Sequence, residues 1–115
     1  MRNLRLVINN DKKTNEKEKF FVKKELQSIL NLYAKMVSNG SWKDYSFSSG
    51  TKEVSFDVYQ RTSDKPVLRI AKNLKPNFLN EKFLIKDRNG NIIKKSENLN
   101  LLINKTSWNK LKLIK

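Results

Sequence analysis

The stretch FVKKELQSILNLYAKMVSNGSWKDY, residues 21–45, predicts one amphipathic helix, a stop and an aromatic exit into a sheet. Its apolar side chains recur at i, i+4, i+7, i+8, i+11 and i+15, which is the spacing of one helical stripe. The stripe consists of Val22, Leu26, Ile29, Leu30, Tyr33 and Val37. Asn39-Gly40 follows the last turn, where glycine readily adopts the positive φ that ends a helix. Because no Ser, Thr, Asp or Asn caps the first turn, Glu25 is expected to stabilise it through the helix dipole.

Beyond the helix the apolar residues alternate, which is the period of a β-strand. Ser96 is placed to cap a short closing helix. The sequence therefore predicts an α+β fold, with one main amphipathic helix packed on an antiparallel sheet of about five strands and a short C-terminal helix. The predicted strands are residues 44–48, 53–61, 67–71 and the two arms of the hairpin KFLIKDRNGNIIKK at 82–95.

The pairing of the second and third strands is predicted from their apolar faces. Setting Val58 opposite Ile70 keeps both side chains on the core face and places Tyr59 opposite Arg69. The turn between these strands is followed by Pro66, which cannot donate a hydrogen bond to the ladder.

The Asn-Gly hairpin allows two registers. A two-residue loop would set Ile85 opposite Lys94. A three-residue loop, with a type I turn and Gly90 as a left-handed bulge, would set Ile85 opposite Ile93 and Lys86 opposite Ile92. We favour the second register because it matches apolar residues on the buried face.

The chain is predicted to divide into an N-terminal segment, residues 1–19, and a single α+β domain, residues 20–115. Within the first segment, residues 4–8 could form an edge strand. Residues 9–19 are highly charged and read as a flexible linker, or as a basic arm that orders on a partner. The C-terminal tail from Trp108 onward either docks against the sheet or adds a last strand.

The formal net charge of +14 points to a polyanionic partner such as nucleic acid, because lysine and arginine neutralise phosphates. A compositional explanation competes with this one. The chain has 20 Lys, 15 Asn and only 5 Arg, and an AT-rich genome raises lysine and asparagine together. Arginine, the better residue for bidentate phosphate contacts, is scarce. Either origin gives weak attraction to polyanions at low salt.

Several classes of function lack their chemistry here. The chain has no cysteine and no histidine, which removes disulfides, thiolate metal sites and the commonest general base. Nucleotide-binding glycine loops and hydrolase signatures are missing, and no paired carboxylates are evident. We therefore expect a protein that is not an enzyme and that has no cofactor and no metal site. Its apolar runs are too short to span a bilayer, so we expect a cytoplasmic protein with no membrane partner.

Two groups of residues are candidates for binding nucleic acid. In the first, Trp42-Lys43-Asp44-Tyr45, aromatic rings beside a cation could stack on unpaired bases. Alternatively, Trp42 and Tyr45 pack on the helix as core.

The second group consists of Tyr59, Arg61 and Arg69 on one sheet face, near Lys72. Exposed aromatic and guanidinium groups on an antiparallel sheet are typical of RNA-binding platforms. The alternative is a solvated face on which Arg69 forms an ion pair with Asp57 across the strands.

The leading interpretation is a small, non-enzymatic binding module that contacts RNA or single strands. The rival is a protein-interaction or structural subunit whose charge is compositional. For the rival, an apolar surface is available at Phe78, Leu79 and Phe83. Neither interpretation fixes the oligomeric state.

The spacing F..EL..IL..Y..MV..G.W.DY resembles an uncharacterised domain-of-unknown-function family of small alphaproteobacterial proteins. The resemblance covers roughly residues 20–95 and departs at Val22, where the family tends to have Asp. It implies a bacterial, soluble α+β domain and no established activity. The matching positions are Phe21, Glu25, Leu26, Ile29, Leu30, Tyr33, Met36, Val37, Gly40, Trp42, Asp44, Tyr45, Val54, Phe56, Arg61, Pro66, Arg69, Ile70 and Lys72.

Overall fold

The computed structural model describes residues 19–61 and 65–108. The predicted N-terminal strand at residues 4–8 and the tail beyond Trp108 lie outside the described residues, as does all but the last residue of the linker predicted at residues 9–19. The division into two segments stays a prediction.

The described residues form one antiparallel five-stranded sheet with helices against it, which confirms the predicted α+β fold. The strands lie side by side in chain order, so each follows its neighbour through a short connection. The long helix α1 precedes the sheet and the short helix α2 follows it. The elements are α1 Lys23–Ser38, β1 Asp44–Ser49, β2 Glu53–Tyr59, β3 Leu68–Asn73, a 3₁₀ turn Leu79–Glu81, β4 Phe83–Asp87, β5 Ile92–Ser96 and α2 Leu99–Lys105.

The core lies between the helices and one face of the sheet. Phe56, Ile70 and Ile85 occupy the centres of β2, β3 and β4 and are almost completely buried. Ile29 of α1 and Leu102 of α2 are equally buried and belong to the same cluster. Burying side chains of this size contributes roughly 1.5–3 kcal/mol each.

The buried face of α1 differs from the predicted stripe. Leu32 and Met36, which the stripe omitted, are buried together with Ile29. Val22, Leu30 and Val37, which the stripe included, are more than one-third exposed. The difference arises because α2 packs along the Leu32 side of α1, and periodicity alone does not indicate which flank of a broad apolar face a second helix covers.

Both ends of α1 have the features that the sequence predicts. Val22 precedes the helix without a side-chain cap, and the Glu25 carboxylate accepts the Val22 backbone N–H at 2.8 Å. At the other end Gly40 has a φ of 83°, and the Ser41 N–H donates to the Met36 carbonyl at 2.9 Å.

The register of β2 with β3 is two residues away from the predicted one. Val58 lies opposite Leu68, and Asp57 rather than Tyr59 lies opposite Arg69. A shift of two leaves every side chain on its predicted face. The observed register pairs apolar residues at two of the three core-face positions and opposite charges on the other face. The predicted register left Leu68 opposite Gln60.

The hairpin between β4 and β5 combines features of both predicted registers. Gly90 has a φ of 88° in a turn closed by its N–H donating to the Asp87 carbonyl, and Lys86 lies opposite Ile92, as the three-residue loop predicts. A register shift follows at once and sets Ile85 opposite Lys94, so the predicted pairing of Ile85 with Ile93 is wrong. The shift leaves both isoleucines of β5 exposed, because a bulge turns them out of the alternation.

Candidate nucleic-acid interface

The strand β1, which is outermost among the described strands, carries two accessible aromatic side chains. Tyr45 is 41% exposed and Phe47 is 37% exposed, although both contact the Phe56 ring beneath them. Their own ring centroids are 5.8 Å apart in an edge arrangement. Lys43, exposed, immediately precedes the strand, and its N–H donates to the Tyr59 carbonyl at 2.8 Å. We call Lys43, Tyr45 and Phe47 the β1 edge.

The other face of the sheet carries Tyr59 and Arg69, two of the predicted site residues. Tyr59 is half-buried, and its hydroxyl lies 3.0 Å from the Ser46 hydroxyl. Arg69 is diagonal to it on β3, with 42% of its side chain exposed. Arg61 follows the end of β2 and is exposed. The structure therefore brings Tyr59, Arg61 and Arg69 to one end of the sheet, close to Lys43.

Arg69 is held by an acid that is not solvated. Asp57 is only 2% exposed, and Ser48 and Ser55 donate their hydroxyls to its two oxygens at 2.6 and 2.7 Å. The Arg69 Nε lies 3.6 Å from Asp57 Oδ1. This is the cross-strand ion pair that the alternative interpretation predicted, although its acid is buried.

Trp42, a predicted stacking residue, lies in the core. It is 6% exposed, and Trp108 meets it edge-on at a centroid distance of 5.8 Å. Tyr33 packs on it from α1 at 6.3 Å. The structure thus does not bring Trp42 to the interface; aromatic residues beside a helix stop commonly pack in this way.

Lys72, a predicted neighbour of the arginines, also lies in the core. Because residues alternate along β3, Lys72 faces α1 while Arg69 faces the opposite side. Its Nζ donates to Glu25 Oε1 at 2.9 Å and to the Phe20 carbonyl at 2.8 Å. Lys72 therefore joins the start of α1 to the sheet and is not available to a ligand on the arginine face.

Sequence reasoning missed Phe47 and Lys65 at this end of the molecule. Phe47 follows Tyr45 two residues along β1 and therefore lies on the same face. This spacing is the sequence signal that could have identified Phe47 as a site residue. Lys65 is exposed three residues before β3. It adds a cation to the group formed by Lys43, Arg61 and Arg69.

Tyr33 supports the β1 edge from below. Its hydroxyl donates to the Lys43 carbonyl at 3.2 Å, and its ring meets Tyr45 at a centroid distance of 4.8 Å. Burial raises the pKa of Tyr33 above 10.0, and the nearby Asp44 and Tyr45 raise it further. Tyr33 is therefore a neutral hydrogen-bond donor at physiological pH.

The predicted apolar surface between β3 and β4 is confirmed in two of its three residues. Phe78 and Leu79 are 67% and 71% exposed. Phe83, the third, is only 3% exposed, because it begins β4 on the core face opposite Lys72.

Residues 19–61 and 65–108 provide neither a metal-binding cluster nor a membrane-spanning helix. Within these ranges no three or more His, Cys, Asp or Glu side chains gather as a metal ion would require. None of the helices in the same ranges combines the length and the apolar character needed to cross a membrane.

Comparison with known families bears on residues 19–103, which match the family model described as "Protein of unknown function (DUF2794)". The chain belongs to this family. The match includes α1, the whole sheet and most of α2, so the β1 edge and the arginines lie inside the DUF2794 domain. No curated protein and no solved structure matches the chain. The family model confirms the predicted membership of an uncharacterised family and brings no activity.

Proposed function

We propose that this protein is a non-enzymatic module that binds single-stranded nucleic acid, RNA in particular, at the end of the sheet formed by β1, β2 and β3. The observation that carries the proposal is the β1 edge. Two partly exposed aromatic rings, Tyr45 and Phe47, stand on the outermost strand of the sheet that residues 19–61 and 65–108 form, next to Lys43. Base stacking on aromatic side chains is worth about 1–3 kcal/mol per base and needs unpaired bases.

Cations around this edge supply the phosphate contacts. Arg61 and Lys65 are exposed beyond the ends of β2 and β3, and Arg69 lies 3.6 Å from its buried acid. A strand that stacks on Tyr45 and Phe47 would meet Lys43 beside them and Arg61 and Lys65 at the same end of the sheet, whereas Arg69 lies on the opposite face of the sheet. An arginine fork can contact phosphate or base edges with two N–H groups, which a lysine cannot.

The test compares two double variants that remove equal charge. Arg61→Ala with Lys65→Ala removes two cations at the proposed site, and Lys94→Ala with Lys105→Ala removes two exposed cations from β5 and α2. We expect the first pair to weaken binding of a single-stranded RNA by about tenfold more than the second, at the same salt concentration. Equal losses would contradict the site and leave only diffuse attraction.

The aromatic part of the proposal has its own variants. Tyr45→Leu with Phe47→Leu keeps apolar groups over Phe56 but removes the flat rings on which bases stack. We expect affinity for single strands to fall about tenfold or more, with duplex affinity unchanged. A fall that is equal for single strands and duplexes would contradict stacking.

A further inference from the structure

The connection between β3 and β4 projects from the end of the sheet opposite to Arg61. Its two ends are fixed, because the Asn73 N–H donates to the Lys82 carbonyl at 2.7 Å and the Leu74 N–H donates to the Lys52 carbonyl at 2.8 Å. Between these points the chain turns at Phe78, whose carbonyl accepts the Glu81 N–H at 2.9 Å. The connection is thus a short, internally bonded loop and not an irregular tail.

The outermost part of this loop is apolar. Phe78 and Leu79, adjacent in the chain, are the two most exposed large hydrophobic residues in the described part of the protein, at 67% and 71%. Ile92 and Ile93 are also adjacent and exposed but belong to the regular strand β5, and Leu101 lies singly on α2. We call Phe78 and Leu79 the apolar tip. Single exposed apolar residues are common on protein surfaces, whereas two adjacent ones at the end of a projecting loop form a surface that can insert into an apolar environment.

Four lysines surround the base of the loop. Lys52 and Lys75 are exposed and belong to the hydrogen-bonded base itself. Lys24, at the start of α1, lines one shallow groove together with Lys82. We call these four residues the lysine collar.

Most carboxylates near the collar are already paired. Glu81 lies 3.7 Å from Lys95, and Glu25 lies 2.9 Å from the buried Lys72. Glu97, on the same groove as Lys24, is exposed and offsets one of the four charges. The collar therefore retains a positive excess directly behind the apolar tip.

We propose that the apolar tip and the lysine collar together dock this protein on the surface of an anionic lipid bilayer. Phe78 and Leu79 would enter the headgroup region, while the lysines would face anionic headgroups around them. Apolar burial and attraction to anionic lipids add in such docking, with each lysine near the surface worth about 1 kcal/mol. The sequence expectation of no membrane partner rested on apolar runs too short to span a bilayer, and this proposal departs from it, because surface docking needs no spanning segment.

Two features favour a lipid surface over a protein or a nucleic acid. The collar contains lysines only, and protein interfaces are enriched in arginine and depleted in lysine. Lysine acts as a flexible point charge, which suits headgroups that have no fixed positions. A projecting tip also offers little of the flat, complementary area that a stable protein interface requires. The proposal is independent of nucleic-acid binding, because its residues lie at the other end of the sheet.

The experiment is co-sedimentation of the full chain with phosphatidylcholine vesicles that contain either no phosphatidylglycerol or about a quarter of it, without nucleic acid, at about 0.1 M salt. We expect partitioning onto the anionic vesicles only. Phe78→Ser with Leu79→Ser should lower the partition coefficient about tenfold or more, which corresponds to about 1.4 kcal/mol. Ile92→Ser with Leu101→Ser, which removes two apolar groups elsewhere that are each 54% exposed, should partition like the parent chain. Circular dichroism checks that both variants keep the fold.

Charge variants separate the two parts of the docking surface. Lys52→Gln with Lys75→Gln should lower the partition coefficient by about fivefold per lysine. Failure of the parent chain to bind anionic vesicles would overturn the proposal, as would equal binding by the variant that lacks the apolar tip. A tip variant that loses affinity for single-stranded RNA but not for vesicles would also overturn it, and would make Phe78 a stacking residue.

Discussion

Asp57 is the residue on which the arginine face depends. It is buried among Ser48, Ser55 and Arg69, and it accepts two hydroxyl hydrogen bonds while it pairs with the guanidinium. Hydrogen bonds to a charged group contribute about 1.5–3 kcal/mol, more than neutral ones. The face that carries the predicted binding residues is therefore ordered by one carboxylate.

Replacing Asp57 by Asn keeps the shape but removes the charge. We expect the free energy of unfolding in urea to fall by about 2 kcal/mol, because both hydroxyls and Arg69 lose a charged partner. Ser48→Ala is the control, since it removes one of these hydrogen bonds from an exposed residue and should cost about 1 kcal/mol or less. An Asp57→Asn protein as stable as the parent would show that the carboxylate does not order this face.

Tyr33 gives the protein a pH dependence in the alkaline range. Its folded pKa is raised above 10.0, so the folded state holds the phenol proton more tightly than the unfolded chain does. The resulting stability is fully present below the unfolded pKa of about 10 and is lost as the pH rises through the folded pKa. Tyr33→Phe should cost about 1 kcal/mol near pH 8, through loss of the bond to the Lys43 carbonyl.

The difference in unfolding free energy between the parent and Tyr33→Phe should then narrow as the pH rises above about 10. Chemical denaturation at several pH values measures it, with Tyr59→Phe as a second tyrosine for comparison. A difference in unfolding free energy that stays constant, or that widens as the pH rises, would contradict a raised pKa for Tyr33.

At the scale of elements, the start of α1 is joined to β3 by one buried ion pair. Lys72 and Glu25 meet at 2.9 Å with side-chain exposures of 7% and 15%. Lys86 and Glu53 also meet at 2.9 Å but are more exposed, at 19% and 33%. The two pairs are matched in distance and differ in solvation, so they provide a comparison within one protein.

We expect Lys72→Met to lower the free energy of unfolding by about 2 kcal/mol, because Glu25 is left with a largely buried and unpaired charge. Lys86→Met should cost about 1 kcal/mol or less, since solvent screens its partner. Urea denaturation measures both. Each variant removes one charge, so their affinities for single-stranded RNA should be equal. A selectively weaker affinity for Lys72→Met would return Lys72 to the binding site.

The elements also show what the sequence could and could not predict. The faces of β2 and β3 followed from period-two alternation, which survives a register error of two residues. The rotation of α1 about its axis could not be predicted in this way. Which flank of the apolar face of α1 is covered depends on α2, which lies about 60 residues further along the chain. The predicted site residues were only partly correct for a related reason. Residue spacing correctly placed Tyr59 and Arg69 on one face, but only the packed structure shows that Trp42 and Lys72 are buried.

At the scale of the whole molecule, the net charge of +14 has two possible sources, and their predictions differ. Charge that reflects base composition attracts any polyanion at low salt and loses it as salt rises. Charge arranged around a shaped site gives a preference for one kind of nucleic acid that persists when the salt concentration is raised. The exposed cations are spread over the described surface, but the β1 edge combines them with accessible aromatic rings.

The most direct test is fluorescence anisotropy of the parent chain with labelled single-stranded RNA, duplex RNA and duplex DNA, at about 50 and 200 mM salt. The proposed site predicts that single-stranded RNA remains bound at the higher salt and that both duplexes are released. Affinities that collapse equally for all three would mean counterion release from a basic surface, and would contradict a nucleic-acid site at the β1 edge.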